Sequence, residues 1–300
     1  MNPKDVKFII NGKRENDPRL LSALDELKAL GIELNIFFTK KDIPLKDAFK
    51  DHPKRVVAGG GDGTINMVLN EILKLSNRPQ LAILPLGTAN DFASSAQIPF
   101  DIKLAILLAL NGDSSKVDIV KVNEKFFLNV ATGGFGAIIT TQTPPILKNL
   151  LGGTAYALTG VLKLFSFTPI EGKMIINDHF EVEGKTFATA VCNGKQAGGG
   201  VILSPTAYID DGILDVVLFT FDNILVPEHL APPSDDIFGQ IPFRKIFRAS
   251  KVKFIPKSDI KVINLDGEPY SATEFEFEIL PAELELILPK NSPLLSKGKL

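Results

Sequence analysis

Residues 59–65 read Gly59-Gly60-Gly61-Asp62-Gly63-Thr64-Ile65, a run suited to holding an anion. Four glycines remove the Cβ atoms that keep a ligand off the backbone, and they accept positive φ. Arg55-Val56-Val57-Ala58 ahead of them reads as an apolar strand, and Ile65, Val68, Leu69, Ile72 and Leu73 behind them recur at helical spacing. A glycine-rich turn that opens a helix presents N–H groups and the positive end of the helix dipole, which together suit phosphate. These residues point to a nucleotide-using enzyme.

A second loop, Pro85-Leu86-Gly87-Thr88-Ala89-Asn90-Asp91-Phe92, directly follows the apolar segment Leu81–Leu84. Thr88 and Asn90 can donate hydrogen bonds to phosphate or base. Asp62 and Asp91 can hold a metal, a water or a polar partner. Each loop alone is ordinary turn chemistry, but at successive strand ends they share the edge where parallel sheets bind ligands. Downstream, Gly194-Lys195-Gln196-Ala197-Gly198-Gly199-Gly200 precedes Tyr208-Ile209-Asp210-Asp211-Gly212-Ile213-Leu214. Asp211 could give a carboxylate oxygen to a hard cation, although Asp210-Asp211-Gly212 read locally is a hairpin turn. In Asn264-Leu265-Asp266-Gly267-Glu268-Pro269, Asp266-Gly267 is again a hairpin signal. A carboxylate just past such a turn could serve as general base for a substrate hydroxyl; spacing does not choose between the two.

Other chemistries are poorly supplied. His52, His179 and His229 are scattered without metal-ligand spacing, and no serine sits in a nucleophile elbow. Cys192 is the sole cysteine, which excludes an internal disulfide and a multi-cysteine zinc site; its neighbours Ala190-Val191 predict a buried strand thiol. A net charge of −2 implies no polybasic surface and argues against nucleic acid as a partner.

The elements that must position these residues change character along the chain. The 300 residues, 45% hydrophobic and 23% charged, suit a soluble protein of two domains. Up to about residue 125, strand and helix patterns alternate as in a parallel sheet covered by helices. Strands are expected at Val6–Ile10, Ile32–Phe38, Arg55–Ala58 and Leu81–Leu84. One helix begins at Asp17-Pro18 and stops at Gly31; another covers Ile102–Leu110. From Val117 the segments become short and β-like, as in an antiparallel sandwich: Phe126–Ala131, Lys173–Ile176, Thr186–Cys192, Leu214–Phe219, Lys251–Ile255, Ile260–Leu265, Phe275–Ile279 and Leu284–Leu288. A helical stretch near Pro144–Phe167 interrupts them, and Pro227–Pro242 reads as a surface loop. The expected fold is an α/β nucleotide-binding domain, 1–125, followed by a mainly antiparallel β-sandwich domain, 126–300. The start of the chain does not read as a secretory signal, and no stretch is long and apolar enough to span a bilayer, so a cytoplasmic protein is expected.

Taken in order, Gly59–Asn66, Leu84–Ala93, Ala131–Gly136, Gly194–Gly200, Asp210–Leu214 and Asn264–Pro269 resemble the diacylglycerol kinase catalytic-domain family, in its YegS-like bacterial lipid kinase subgroup. The likeness runs from the first strand to about Pro289. It implies an ATP-dependent kinase that transfers a γ-phosphoryl group, with Mg2+, to a hydroxyl of a lipid such as phosphatidylglycerol or diacylglycerol at the inner membrane surface. By the same resemblance Gly59, Gly60, Gly61, Asp62, Gly63, Thr64 and Ile65 would cradle ATP phosphates with Thr39 and Thr88. Asn90 and Asp91 belong to the same nucleotide loop, and Asp62 and Asp91 would position magnesium–ATP. Glu268 would accept the proton. Tyr208 and Ile213, through carbonyls, and Asp211, through its carboxylate, match a metal site for Mg2+ or Ca2+. Two departures stand out: Lys195 replaces a frequent arginine and loses its planar fork, and Lys40-Lys41-Asp42-Ile43-Pro44 lacks the expected acidic, arginine-rich character. Leu147–Phe167 could offer lipid an apolar surface or simply pack internally. Two other readings remain: a kinase for a soluble acceptor such as NAD, and a non-catalytic nucleotide-binding regulator.

Overall fold

The computed structural model of the protein describes residues 5–134, 169–232, 244–257 and 261–296. The first third alternates as expected: β1 (Val6–Asn11), α1 (Pro18–Ala29), β2 (Asn35–Thr39), β3 (Arg55–Gly60), α2 (Asp62–Ile72), β4 (Gln80–Pro85), a short α3 (Asp91–Ser95) and α4 (Ile102–Asn111). Local chemistry starts the helices. The Asp17 carboxylate accepts the Arg19 N–H at 3.0 Å and Pro18 takes the first turn of α1. Asp101 accepts the Leu104 N–H at 2.8 Å at the head of α4.

The four strands run parallel in the order β2-β1-β3-β4. One face packs Ile9, Val56, Ala58 and Ile83 against Ile65, Val68, Leu69 and Ile72 of α2. The other packs Phe8, Ile10, Val57 and Leu84 against Leu20 and Leu27 of α1 and Ile102 and Ile106 of α4. Each Val, Leu, Ile or Phe side chain among them, fully buried, contributes roughly 1.5–3 kcal/mol. That double layer holds the strand ends Asn11, Thr39, Gly60 and Pro85 along one edge.

The remainder is antiparallel: β5 (Ser114–Val122), β6 (Lys125–Phe127), β7 (Val130–Gly134), β8 (Ile170–Ile176), β9 (Phe180–Thr186), β10 (Ala188–Cys192), β11 (Gln196–Ala197), β12 (Val201–Ile202), β13 (Leu214–Phe219), β14 (Arg244–Ala249), β15 (Lys251–Pro256), β16 (Lys261–Leu265), β17 (Glu268–Ala272) and β18 (Phe275–Ile287). Among the described residues one sheet runs β14-β13-β10-β7-β16-β17, and the other continues past β4 as β18-β15-β8-β9, with β5 also on β18. Side chains from both, including Val120, Phe127, Ile176, Val216, Phe247, Leu265 and Phe277, fill the sandwich. The fold class is the one the sequence leads to, an α/β unit followed by a β-sandwich.

Several boundaries differ for identifiable reasons. Phe275–Ile279 and Leu284–Leu288 form one long strand, whose register against β5 shifts between Leu280 and Leu284. Ala282 takes a positive φ of 55° there, and its N–H donates to the buried Asp118 carboxylate at 2.8 Å. This bulge bends the strand, so that its far end pairs Leu286 with Leu81 of β4. Phe126–Ala131 breaks into β6 and β7 because the N–H groups of Leu128 and Asn129 turn toward a side chain, described below. Asp210-Asp211-Gly212 joins no hairpin; it is a turn leading into β13. Cys192 is buried, as expected. The stretch near Pro144–Phe167 and residues 233–242 of the expected loop lie outside the described residues.

Arg55 ties the sheet to α4. Its buried guanidinium donates to the carbonyls of Ala109 at 2.7 Å, Leu110 at 3.2 Å and Gly112 at 3.1 Å, and to Gln80 Oε1 at 2.7 Å. Arg55→Met strands helix-terminal carbonyls away from water, and it lowers the unfolding free energy by roughly 2–4 kcal/mol in urea denaturation. An unchanged midpoint would mean that those carbonyls find other partners.

Candidate active site

The glycine-rich turn leaves the end of β3 and enters α2, whose N-cap is Gly61, a residue with no side chain to cap it. The second loop is laced to the first. Gly60 O accepts the N–H groups of Leu86 at 2.9 Å and Gly87 at 3.0 Å. A Cβ on Gly87 would overlap Gly61 Cα and Asn90 Oδ1, so this close approach requires glycine. Asn90 closes the loop on itself, accepting the Gly87 N–H at 2.9 Å and donating to Gly87 O at 3.0 Å. Thr88 is exposed beside it, whereas Thr64 and Ile65 are buried. Thr64 Oγ1 accepts from the amide of Asn11 at 3.2 Å, and Thr39 Oγ1 accepts the Gly12 N–H at 3.1 Å. The N–H groups of Thr64 and Ile65 both donate to Gly61 O, at 2.9 and 3.1 Å, and their side chains are committed to the interior, so these two residues close the first turn of α2.

The acidic residues have distinct surroundings. Asp62 accepts the N–H groups of Asp91 at 3.1 Å and Phe92 at 3.2 Å, across the start of α3. Burial and the neighbouring Asp91 carboxylate push it up to about 6, against the pull of those two donors. The Asp91 carboxylate faces the β-sandwich: it accepts the N–H of Gly199 at 2.9 Å and of Gly200 at 2.7 Å, while Gln196 donates to Asp91 O at 3.2 Å. This relay links the glycine turn, the second loop and the Gly198–Gly200 run. Asp62 carries one donor on each oxygen and keeps lone pairs for a hard cation carried by phosphates. Asp91, with both oxygens taken by glycine N–H groups, fits such an ion less well.

Glu268 reaches the same place from the sandwich. Asp266 and Gly267 form the two-residue turn between β16 and β17, with φ of 48° and 99°, as a tight hairpin with two left-handed residues requires. Asp266 is the fixture beneath it. Its buried carboxylate accepts the N–H groups of Leu128 at 2.7 Å, Asn129 at 3.1 Å and Val130 at 2.9 Å. Burial pushes it up to about 6 despite those donors. Asn264 Oδ1 accepts the Gly267 N–H at 2.8 Å. The exposed Glu268 side chain then lies against Gly63, where a Cβ would overlap its Oε1. Gly63, read in the sequence as part of a phosphate cradle, also makes room for this carboxylate. The hairpin and the functional reading of Asp266-Gly267-Glu268 are thus compatible.

Tyr208, Asp211 and Ile213 stand apart from this cluster. Asp211 Oδ2 accepts from Arg248 Nη2 at 2.6 Å, and its Oδ1 accepts the Ile213 N–H at 3.1 Å. Burial raises Asp211 to about 6, with Arg248 pulling the other way. Lys195 Nζ lies 4.7 Å from the Tyr208 ring centroid, a cation–π contact. Among the described residues no group of three His, Cys, Asp or Glu side chains is placed to hold a metal. A divalent ion on Asp211 would share that carboxylate with a guanidinium, so this donor set fits a metal poorly. Sequence reasoning missed Arg248, Asp118 and the anchoring role of Asp266, which it read only as half of a hairpin signal.

Residues 5–122 match the diacylglycerol kinase catalytic domain, and residues 130–288 match the YegS C-terminal NAD kinase beta sandwich-like domain. A protein of Shewanella frigidimarina named "Probable lipid kinase YegS-like" is 36% identical over 301 residues, covering 97% of this chain and 96% of its own. A Klebsiella pneumoniae protein of the same name is 39% identical over 298 residues, covering 96% and 97%. The fold also superposes on a diacylglycerol kinase structure from Bacillus anthracis with a TM-score of 0.70, at 23% identity and covering 95% and 97% of the two chains. With both parts matched in order and relatives aligned over nearly its full length, the chain belongs to the diacylglycerol kinase catalytic-domain family, in its YegS-like group.

Proposed function

We propose that the protein is an ATP-dependent lipid kinase that transfers the γ-phosphoryl group of magnesium–ATP to a hydroxyl of a lipid, phosphatidylglycerol or a diacylglycerol-like molecule. The observation that carries this reading is the meeting of Glu268 with Gly63 at the uncapped head of α2. A candidate proton acceptor and a candidate phosphate cradle, 205 residues apart in the chain (268 − 63), share one place. The curated relatives named as probable lipid kinases support it.

In this mechanism the turn Gly59–Gly63 and the head of α2 receive the phosphates, with Thr39 at the end of β2 and Thr88 in the loop after β4 on the same edge of the sheet. Glu268 takes the proton of the acceptor hydroxyl as its oxygen attacks the γ-phosphorus and ADP leaves. Phosphoryl transfer asks mainly for positioning and charge neutralisation, and Mg2+ bound with ATP would neutralise charge on the phosphate oxygens. Asp62 is the residue here best suited to hold it. Residues 1–125 then carry the nucleotide and 126–300 complete the substrate cleft, although β18 returns to pair with β4. No helix among the described residues is long and apolar enough to cross a membrane. As part of this proposal, the lipid is met at the cytoplasmic face of the inner membrane by peripheral contact.

The deciding experiment measures transfer of labelled γ-phosphate from ATP to lipids in mixed micelles, with Glu268→Gln in parallel. A labelled lipid is expected from wild type, and the variant loses roughly 10²–10⁴ in kcat with ATP binding kept. Transfer to NAD with none to lipid, or ATP binding without turnover, overturns the reading. Gly63→Ala pushes the Glu268 carboxylate aside without altering its chemistry, and kcat falls by about tenfold or more while the fold persists in circular dichroism; an unchanged kcat would put the working carboxylate elsewhere.

Asp62 adds a pH signature. Its folded pKa lies above the unfolded value, so the native state keeps a proton that the unfolded chain releases between about pH 4 and 6. Ionising Asp62 therefore costs stability as pH rises through that window. Asp62→Asn gains in melting temperature relative to wild type from about pH 4 to about 6.5, and it uses magnesium–ATP less well at neutral pH. Parallel melting curves across that range would show that Asp62 titrates normally.

A further inference from the structure

The sandwich holds a partly buried charge cluster that the kinase chemistry does not use. Asp215 on β13 stands directly opposite Arg248 on β14 in the strand register. Its side chain is 1% exposed; Oδ1 accepts from Arg248 Nε at 3.3 Å, and Oδ2 accepts from the hydroxyls of Ser204 and, at 3.0 Å, Thr206. The same guanidinium reaches Asp211 Oδ2 at 2.6 Å. One cation thus spans the strand carboxylate and the turn carboxylate. The turn is clamped from below as well: Asp118 Oδ2 accepts the Gly212 N–H at 2.7 Å, and Asp210 Oδ1 accepts the Ser296 N–H at 2.7 Å.

We infer that Arg248 is a built-in cation occupying the place of a divalent ion at Tyr208, Asp211 and Ile213, so that this turn is held without metal. Mg2+ or Ca2+ binds carboxylate oxygen at about 2.0–2.6 Å. Added to the 2.6 Å ion pair, that puts the ion within about 5 Å of the guanidinium nitrogen. Two positive centres that close in a partly dry site repel strongly. Arg248, at 21% side-chain exposure, cannot leave without abandoning Asp215, which has no access to water. Ion entry that displaced the guanidinium would leave this buried carboxylate its two hydroxyl donors but no countercharge, a costly exchange. The inference is independent of the kinase reading, since it concerns only how the turn is held.

The test uses the full chain, treated with chelator and free of ATP. Melting temperature is followed as MgCl2 or CaCl2 is added, and Tb3+ luminescence is excited through tyrosine. The chain has three tyrosines and no tryptophan, so Tyr208 is a sensitiser beside the site. Wild type should melt alike with and without either ion and give no saturable luminescence that Asp211→Asn removes. Arg248→Gln should melt about 3 °C or more lower, recover in millimolar Mg2+ or Ca2+, and acquire a saturable terbium signal. Arg248→Lys keeps the charge and should remain indifferent to both ions. Wild type that loses stability on chelation and regains it with either ion overturns the inference. So does a folded Arg248→Gln that neither ion rescues, because Arg248 would then be only a strand-pair partner. If Arg248→Gln does not fold, the wild-type and Arg248→Lys titrations decide.

Discussion

The Asp266 carboxylate, buried and accepting three consecutive backbone N–H groups from Leu128 to Val130, is the bond set on which the site's geometry rests. Those donors sit where β6 gives way to β7, at the passage from the α/β unit into the sandwich. A buried acceptor left without them would cost several kcal/mol. The turn is therefore held to one place, and Glu268, two residues on, inherits that place. In one continuous strand Leu128 and Asn129 would turn their N–H groups to the ladder and away from Asp266, which is why β6 and β7 are separate strands.

The two parts of the chain are joined mechanically as well as at the site. β18 crosses from the sandwich to the parallel sheet, and its bulge at Ala282 is pinned by Asp118. Asp118 also holds Gly212, so one buried carboxylate sets both the bend of this strand and the turn carrying Asp211. At the glycine-rich turn, Asp62 holds α3 and Asp91 holds Gly199 and Gly200. The carboxylates that look like catalytic candidates in the sequence are in large part tethers between loops. The raised pKa values of Asp62 and Asp266 follow from doing that work in dry surroundings.

Much of the fold was legible in the sequence because it is encoded by neighbours. Asp17-Pro18 starts α1, period-3.6 leucines and isoleucines define the buried faces of α1 and α2, and the glycine run sits between a strand and a helix. Each depends on residues within a turn or two, so local spacing suffices. The loops at Gly59–Thr64 and Pro85–Phe92 could be assigned to one edge because parallel strands all end there. The ordered motifs carried the family likeness for the same reason: short runs stay readable without a partner.

What tertiary structure alone decided involves partners far apart in the chain. Asp266 meets residues 136 to 138 positions away, and Gly199 lies 108 positions from Asp91. Arg248 joins Asp211 and Asp215 only because β13 and β14 pair in one register. An aspartate in a turn looks alike in sequence whether it will cap a helix, anchor a hairpin, pair with arginine or face a ligand. The sequence by itself determined the elements and the inventory of acidic groups. Packing decided which of them are consumed as hydrogen-bond acceptors and which, like Glu268 beside Gly63, stay exposed, because burial and long-range donors are supplied only by the folded chain.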